Sequence, residues 1–282
     1  MPNPLKEAMK AILSGTVSVL GRTGISQYIF QLAVNNAMDS TLQVLHRGIK
    51  LSFSTPNSLN YWRVSTFSSK EPETLEWIDS FPENVVLWDI GANVGLYSVY
   101  ASVTKNCTVF AFEPSVFNLE LLARNIFLNG LSQKVTIIPL PLSDRISLSS
   151  MRMTSTEWGG ALSTFGKEFG FDGEPIKQTF EFSTLGMTMD EAVTLLKIPT
   201  PDFIKMDVDG LEHFILQGGA NVLKNTKGVL IEVNDDFEEQ AKSCHDLLVN
   251  AGLSLKEKRH SDIIASSTSG FANCYNQIWV RS

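Results

Sequence analysis

Carboxylates recur in this chain where apolar runs stop. Val85-Val-Leu-Trp-Asp89 leads into Ile90-Gly-Ala-Asn-Val-Gly95, Thr108-Val-Phe-Ala-Phe112 into Glu113-Pro-Ser115, and Phe203-Ile-Lys-Met206 into Asp207-Val-Asp-Gly-Leu-Glu212. Each reads as a strand, a turn and then a helix, so the acids gather at one edge of a sheet, where open α/β folds hold ligands. The first turn has the spacing D-x-G-x-x-x-G, with Gly91 and Gly95 letting a ligand approach the backbone. It lacks the G-x-G-x-x-G that sets helix amides under a pyrophosphate. A carboxylate at Asp89 would repel pyrophosphate but favour a cationic amino group or sulfonium, which suits S-adenosylmethionine. Ala92, Asn93 and Tyr97, in the turn and the helix it opens, are read as further cofactor contacts.

Glu113, at the neighbouring strand tip, is placed to accept both ribose hydroxyls, with Pro114 beside it. Ser115 and Asn118 follow, and either touch adenine or cap the helix that begins at Val116. Ser143 and Asp144, after the third strand, lie where an adenine amino group finds an acceptor, although Pro139 and Pro141 constrain the backbone there.

In the second acidic cluster, Lys205, Asp207, Asp209 and Glu212 surround Gly210, and like charges this close need a cation, a proton or solvent to coexist. The bland alternative is that Asp209 and Glu212 complement the following helix dipole. Glu232 and Asn234 end the next strand. Asp207, with Lys205 and Glu232 nearby, is read as orienting or activating an acceptor hydroxyl while also touching the cofactor. Asp207, Glu232 and Asn234 are hard oxygen donors that could hold Mg2+. Of four histidines only His213 lies beside this cluster, either as a base or as a packing or capping residue at a helix start.

The elements that must position these groups alternate regularly. Strands at Val85–Asp89, Thr108–Phe112 and Val135–Leu140 are separated by helices Gly95–Lys105 and Val116–Asn129, which implies a parallel sheet with crossover helices. Residues 143–184, rich in Ser, Thr, Gly and Phe, read as a β-rich insertion that shapes the acceptor pocket together with the loop 259–276; Trp158, Phe165, Phe171 and Tyr275 are its aromatic candidates. A capping-box pattern at Thr188 and Glu191 opens a helix, and strand Phe203–Asp207, helix Glu212–Leu223, strand Val229–Val233 and helix Phe237–Asn250 resume the alternation. Final strands near Leu253–Lys256 and Ile278–Val280 bring the count to seven.

Residues 1–45 read as an N-terminal helical cap, with 46–282 as the main domain. Leu5, Ala8, Met9, Ile12 and Leu13 recur at helical spacing and suggest an amphipathic docking helix rather than a secretory signal. The 282 residues carry a net charge of −7 with no basic run, which disfavours nucleic acid as partner. Three separated cysteines argue against a disulfide framework. No run approaches the roughly 18 apolar residues of a membrane span, and a cytoplasmic location is expected.

Four blocks in order resemble the FkbM family of S-adenosylmethionine-dependent methyltransferases: Lys70-Glu-Pro-Glu-Thr74, Asp89-Ile-Gly-Ala-Asn-Val-Gly95, Phe112-Glu-Pro114, and Ile204-Lys-Met-Asp-Val-Asp-Gly-Leu-Glu212 leading to Ile231-Glu-Val-Asn234. Asp209 replaces the Glu that the family usually carries before its glycine. The resemblance implies a Rossmann-like, seven-stranded, mostly parallel sheet of the class I methyltransferase type whose last two strands form a hairpin. It also implies O-methylation of a sugar, a glycan or a small natural product, with bacterial polysaccharide pathways the first setting. Two rivals remain: a nicotinamide oxidoreductase, disfavoured by Asp89 and the missing glycine, and a cofactor-binding protein without catalysis, disfavoured by Asp207 and Glu232.

Overall fold

In the computed structural model, residues 24–260 and 271–281 are described. The expected docking helix at Leu5–Leu20 and part of the loop 259–276 lie outside them. Helix α1 (Gly24–Met38) is followed by a hairpin of β1 (Thr41–His46) and β2 (Ile49–Ser54). Arg47 and Gly48 at its turn both have positive φ, which matches the right-handed twist of the strands they join. The cap expected to be helical to residue 45 therefore ends at Met38. Leu42 and Val44 alternate with polar neighbours, and this period of two packs them against the core as a strand. Helices α2 (Ser58–Ser65), α3 (Phe67–Lys70) and α4 (Pro72–Asp79) come next, α2 being capped by the Asn57 side chain on the Asn60 N–H.

The alternating region begins with β3 (Val86–Ile90), α5 (Leu96–Lys105), β4 (Thr108–Phe112), α6 (Val116–Leu128) and β5 (Val135–Ile138). The β-rich insertion follows as a small antiparallel sheet of β6 (Ser147–Met153), β7 (Thr164–Phe165) and β8 (Phe180–Gly186), in the order β7-β6-β8. Helix α7 (Met189–Leu196) carries the expected capping box, with both Thr188 and Glu191 bonds formed. Then come β9 (Phe203–Met206), α8 (Glu212–Gln217), α9 (Ala220–Asn225), β10 (Gly228–Asn234), α10 (Glu238–Asn250), β11 (Leu253–Arg259) and β12 (Cys274–Arg281).

The helix expected over Glu212–Leu223 is broken at Gly218-Gly219. A Cβ at Gly218 would meet the Ser143 carbonyl oxygen at 2.3 Å, so close approach of this neighbouring backbone selects glycine at that position.

The main sheet has the order β11-β12-β10-β9-β3-β4-β5, parallel except for β12, which runs antiparallel to β10 and β11. From β3 the chain moves outward through β4 and β5, then returns to the other side at β9, so the strand order reverses between β3 and β9. At that switch Asp89 stands in register with Lys205. Alternate residues of each strand feed two cores. Leu87, Val109, Leu230 and Ile278 pack toward α4, α5 and the hairpin, whereas Trp88, Phe110, Ile204 and Val229 pack toward the face bearing α7 to α10. Among the described residues no helix is long and apolar enough to cross a membrane.

Candidate active site

The glycine turn hangs from the end of β4: the Gly91 and Ala92 N–H groups both donate to the Phe112 carbonyl, at 3.0 and 3.1 Å. Gly91 has φ +82°, and a Cβ there would lie 1.8 Å from the Asp207 carbonyl oxygen, so the turn and the β9 tip are in backbone contact. Asn93, also left-handed, donates its N–H to Glu113 Oε2 at 2.7 Å. Glu113 Oε1 accepts the Ser115 N–H at 2.8 Å. Burial raises the Glu113 carboxyl to about 7 in spite of these bonds. Beside it the Ser115 hydroxyl is buried with no partner among the described residues. Asp89 accepts from the Ser98 hydroxyl through Oδ2, while its buried Oδ1 has no partner among the described residues; burial also raises this carboxyl.

On β9, Lys205 donates to Asp207 Oδ2 at 3.1 Å and lies 5.2 Å from the centre of the Tyr97 ring. The Lys205 side chain is 3% exposed and that of Asp207 29%, so Asp207 is the approachable member of the pair. Burial opposes the Lys205 charge, but Asp207, Asp89 and Glu71 together raise its pKa. A second pair, Lys70 with Glu71, faces the same space, and despite burial the Lys70 charge and that of Lys205 hold Glu71 at about 2. Glu232 sits opposite Asn276 in the β10–β12 ladder, and Asn276 in turn donates to buried Glu73 at 2.8 Å. Burial and the neighbouring Asp207 and Glu71 charges push the Glu232 carboxyl well up.

The loop after β9 is braced internally. Glu212 accepts the Val208 and Gly210 N–H groups at 3.0 and 3.1 Å and also the Gln240 amide. Asp209, at φ +60°, accepts the Leu162 N–H at 2.7 Å. Burial lifts Glu212 to about 7 and Asp209 to about 6.

Three cavities meet at Gly91. An apolar one of about 360 Å³ lies among Ile90, Phe112, Pro114, Leu142, Phe165 and Leu211. A second, of about 410 Å³, is lined by Asn93, Glu113, Ser115, Asn118, Gly160 and Asp207. The third, about 480 Å³, takes in Arg63, Lys70, Glu71, Ala92, Tyr97, Lys205 and Asp207. Asn93 and Asp207 stand between the last two.

Several expected residues do not join them. His213 lines none of the three; its ring lies tilted against Phe214, with centroids 4.0 Å apart, and meets Phe237 edge-on, with neither nitrogen partnered among the described residues. Burial lowers it to about 4. Its place is therefore a packing one, because the first turn of α8 points it into an aromatic pocket. Asn234 has its amide spent on the Phe171 carbonyl and its oxygen on the Asp236 N–H, which removes it from the proposed Mg2+ set. Among the described residues no group of three His, Cys, Asp or Glu side chains gathers to hold a metal. Ser143 and Asp144 line none of the cavities either: Asp144 is drawn to Arg145 at 2.7 Å, which lowers its pKa, and Ser143 donates to Asp144. Conversely Arg63, Lys70 and Glu71 were not singled out individually by the sequence, although the Lys70–Thr74 block contains two of them.

A doubly wound sheet with acidic strand tips around a glycine turn is the Rossmann-like class I methyltransferase fold. Residues 89–258 match the methyltransferase FkbM domain, and the chain belongs to that family of methyltransferases. It is 29% identical over 217 residues to the hexuronic acid methyltransferase AglP of Haloferax volcanii, covering 73% of this chain and 79% of that protein. Methyltransferase sdnD of Sordaria araneosa is 27% identical over 187 residues, covering 57% and 72%. Among solved structures, the precorrin-6y C5,15-methyltransferase of Geobacter metallireducens GS-15 aligns with TM-score 0.43 at 15% identity, over 75% of this chain and 87% of that one.

Proposed function

We propose that the protein is an S-adenosylmethionine-dependent O-methyltransferase whose acceptor is a hydroxyl on a sugar, a glycan or a small natural product. The observation that carries this is the pair of polar spaces sharing Asp207 and Asn93, one walled by Glu113 and the other by two Lys–carboxylate pairs. The residues present fit the cofactor: the buried Ser115 hydroxyl and Asp89 Oδ1 have no partner among the described residues, and Glu113 keeps acceptor capacity beyond its two backbone donors. Glu113 with Asn93, Ser115 and Asn118 would hold the ribose and adenine side, and Gly91, Ala92 and Asp89 the charged tail. When bound, S-adenosylmethionine supplies a methyl carbon on a positively charged sulfur. The relative that acts on a hexuronic acid supports a sugar as first choice.

An alcohol loses its proton reluctantly, so the chain must orient the hydroxyl and receive that proton. Asp207 is the exposed carboxylate for this task, and Lys205 fixes its direction. Glu232 lines none of the three cavities, and its carboxyl favours the protonated form, which spares Asp207 a second negative charge nearby. Bringing the two partners together contributes further, because aligned reactants avoid much of the entropic cost of meeting.

The test is calorimetry with S-adenosylmethionine, S-adenosylhomocysteine and NADH, joined to a methyl-transfer assay on sugars and cell-derived glycans. Asp207→Ala is expected to lower turnover by roughly 100-fold or more while changing S-adenosylhomocysteine affinity less than about threefold. Wild-type turnover in this variant would refute the role of Asp207. Tight NADH binding without either sulfur ligand would refute the cofactor.

A further inference from the structure

Arg63 stands apart from the other cations of the third cavity. Its Nε and Nη2 both donate to the Gly159 carbonyl, at 3.1 and 2.7 Å. A guanidinium carries five N–H donors in a rigid fork, so this contact occupies one edge and leaves the end formed by Nη1 and the second Nη2 hydrogen. Among the described residues nothing bonds to Nη1, and no carboxylate forms an ion pair with Arg63. Lys70 and Lys205, in contrast, are each matched by a carboxylate, Glu71 and Asp207. Two ion pairs cancel inside this space and one positive charge is left over, half-buried on α2 and felt by Lys70 as a like charge.

We infer that Arg63 is an anion-reading residue for the acceptor, its free fork taking a carboxylate of the substrate end-on while Asp207 engages the hydroxyl to be methylated. Two points separate Arg63 from the ribose and adenine side of the cofactor: it lines the Lys205 cavity and not the Glu113 one, and it comes from α2 rather than from a strand tip. Gly91 and Ala92 line the same cavity, so the cofactor's own carboxylate is the rival occupant that the experiment below separates from the acceptor. Two parallel N–H groups match two carboxylate oxygens, which gives orientation as well as attraction. The acceptor class is therefore a uronic acid or another hydroxy acid rather than a neutral sugar. This rests on the acceptor reading above.

The experiment uses the full chain and two probes that differ in one group, methyl glucopyranosiduronate and methyl glucopyranoside, titrated by ligand-observed NMR with and without saturating S-adenosylhomocysteine. Wild type is expected to hold the charged probe at least about tenfold more tightly, and Arg63→Met to shrink that preference below about threefold. Asn57→Ala loosens the same segment at Trp158 without removing the cation, and should keep the preference. Equal binding of the two probes by wild type, absence of binding for both, or survival of the preference in Arg63→Met would each overturn the inference. So would a tenfold loss of S-adenosylhomocysteine affinity in Arg63→Met with the probe preference intact, which assigns the fork to the cofactor's own carboxylate. Failure of wild type to bind S-adenosylhomocysteine refutes the cofactor reading alone, since the probe comparison on the ligand-free chain still decides Arg63.

Discussion

At Gly91 two constraints coincide that no side chain satisfies. The backbone is at φ +82°, and the space where a Cβ would stand is filled by the Asp207 carbonyl oxygen at 1.8 Å. Positive φ alone costs a non-glycine residue on the order of 1–2 kcal/mol, and a contact that short forces the β3 and β9 tips apart. Gly91→Ala is therefore expected to cost roughly 3 kcal/mol or more and to lower the melting temperature by about 6–12 °C. It should also abolish S-adenosylhomocysteine binding, since all three cavities border this residue. A melting point within about 2 °C of wild type, with binding kept, would mean that the two tips are not held in this contact. Asp89 gives the complementary lesson. Its register with Lys205 follows from strand order, which the D-x-G-x-x-x-G spacing does not give.

Among the elements, the segment between β6 and β7 ties the site together. The Trp158 carbonyl accepts the Asn57 and Asn60 amides, the Gly160 carbonyl those of Asn93 and Asn118, and the Asn118 oxygen takes the Gly159 N–H at 3.0 Å. Asp209 adds the Leu162 N–H, so the tips of β3, β4 and β9 all hold this segment. Asn118→Ala deletes two of these bonds and leaves the buried Gly159 N–H unpaired, at a cost of about 2 kcal/mol. The expected result is roughly tenfold weaker S-adenosylhomocysteine binding and faster limited proteolysis at residues 157–163. Unchanged cleavage and affinity would mean that the Asn118 bonds do not hold this segment in place. The strands and their glycine and acidic tips were legible because apolar runs, turns and caps are local signals, as Thr188 and Glu191 show. The break at Gly218-Gly219 was not, since the backbone that crowds Gly218 comes from Ser143, far along the chain. Arg63 and Glu71 escaped for the same reason: they reach the site from α2 and α4's approach, not from a strand tip. His213 misled because closeness along the chain placed it by Asp207, whereas the helical turn aims it at Phe214 and Phe237.

For the molecule as a whole, the buried acids set a pH dependence that runs against the usual pattern for paired carboxylates. Burial raises Glu113 and Glu212 to about 7 and Asp209 to about 6, so the folded chain binds protons that the unfolded chain has released. Their contribution to stability is complete below the unfolded values near 4.5 and 3.8 and is lost as pH rises through about 6 to 7. For Glu113 alone the shift corresponds to about 3 kcal/mol. The net charge of −7 acts in the same direction, because further ionisation adds self-repulsion. The ligand-free protein is therefore expected to melt several degrees lower at pH 8 than at pH 5.5, and Glu113→Gln to flatten part of that slope. A cofactor whose ribose hydroxyls donate to ionised Glu113 must bind better as this group loses its proton. S-adenosylhomocysteine should then raise the melting temperature more at pH 8 than at pH 5.5 in wild type, and equally at both in Glu113→Gln. A wild-type gain that is independent of pH would separate Glu113 from the ribose and leave it the backbone brace of Asn93 and Ser115.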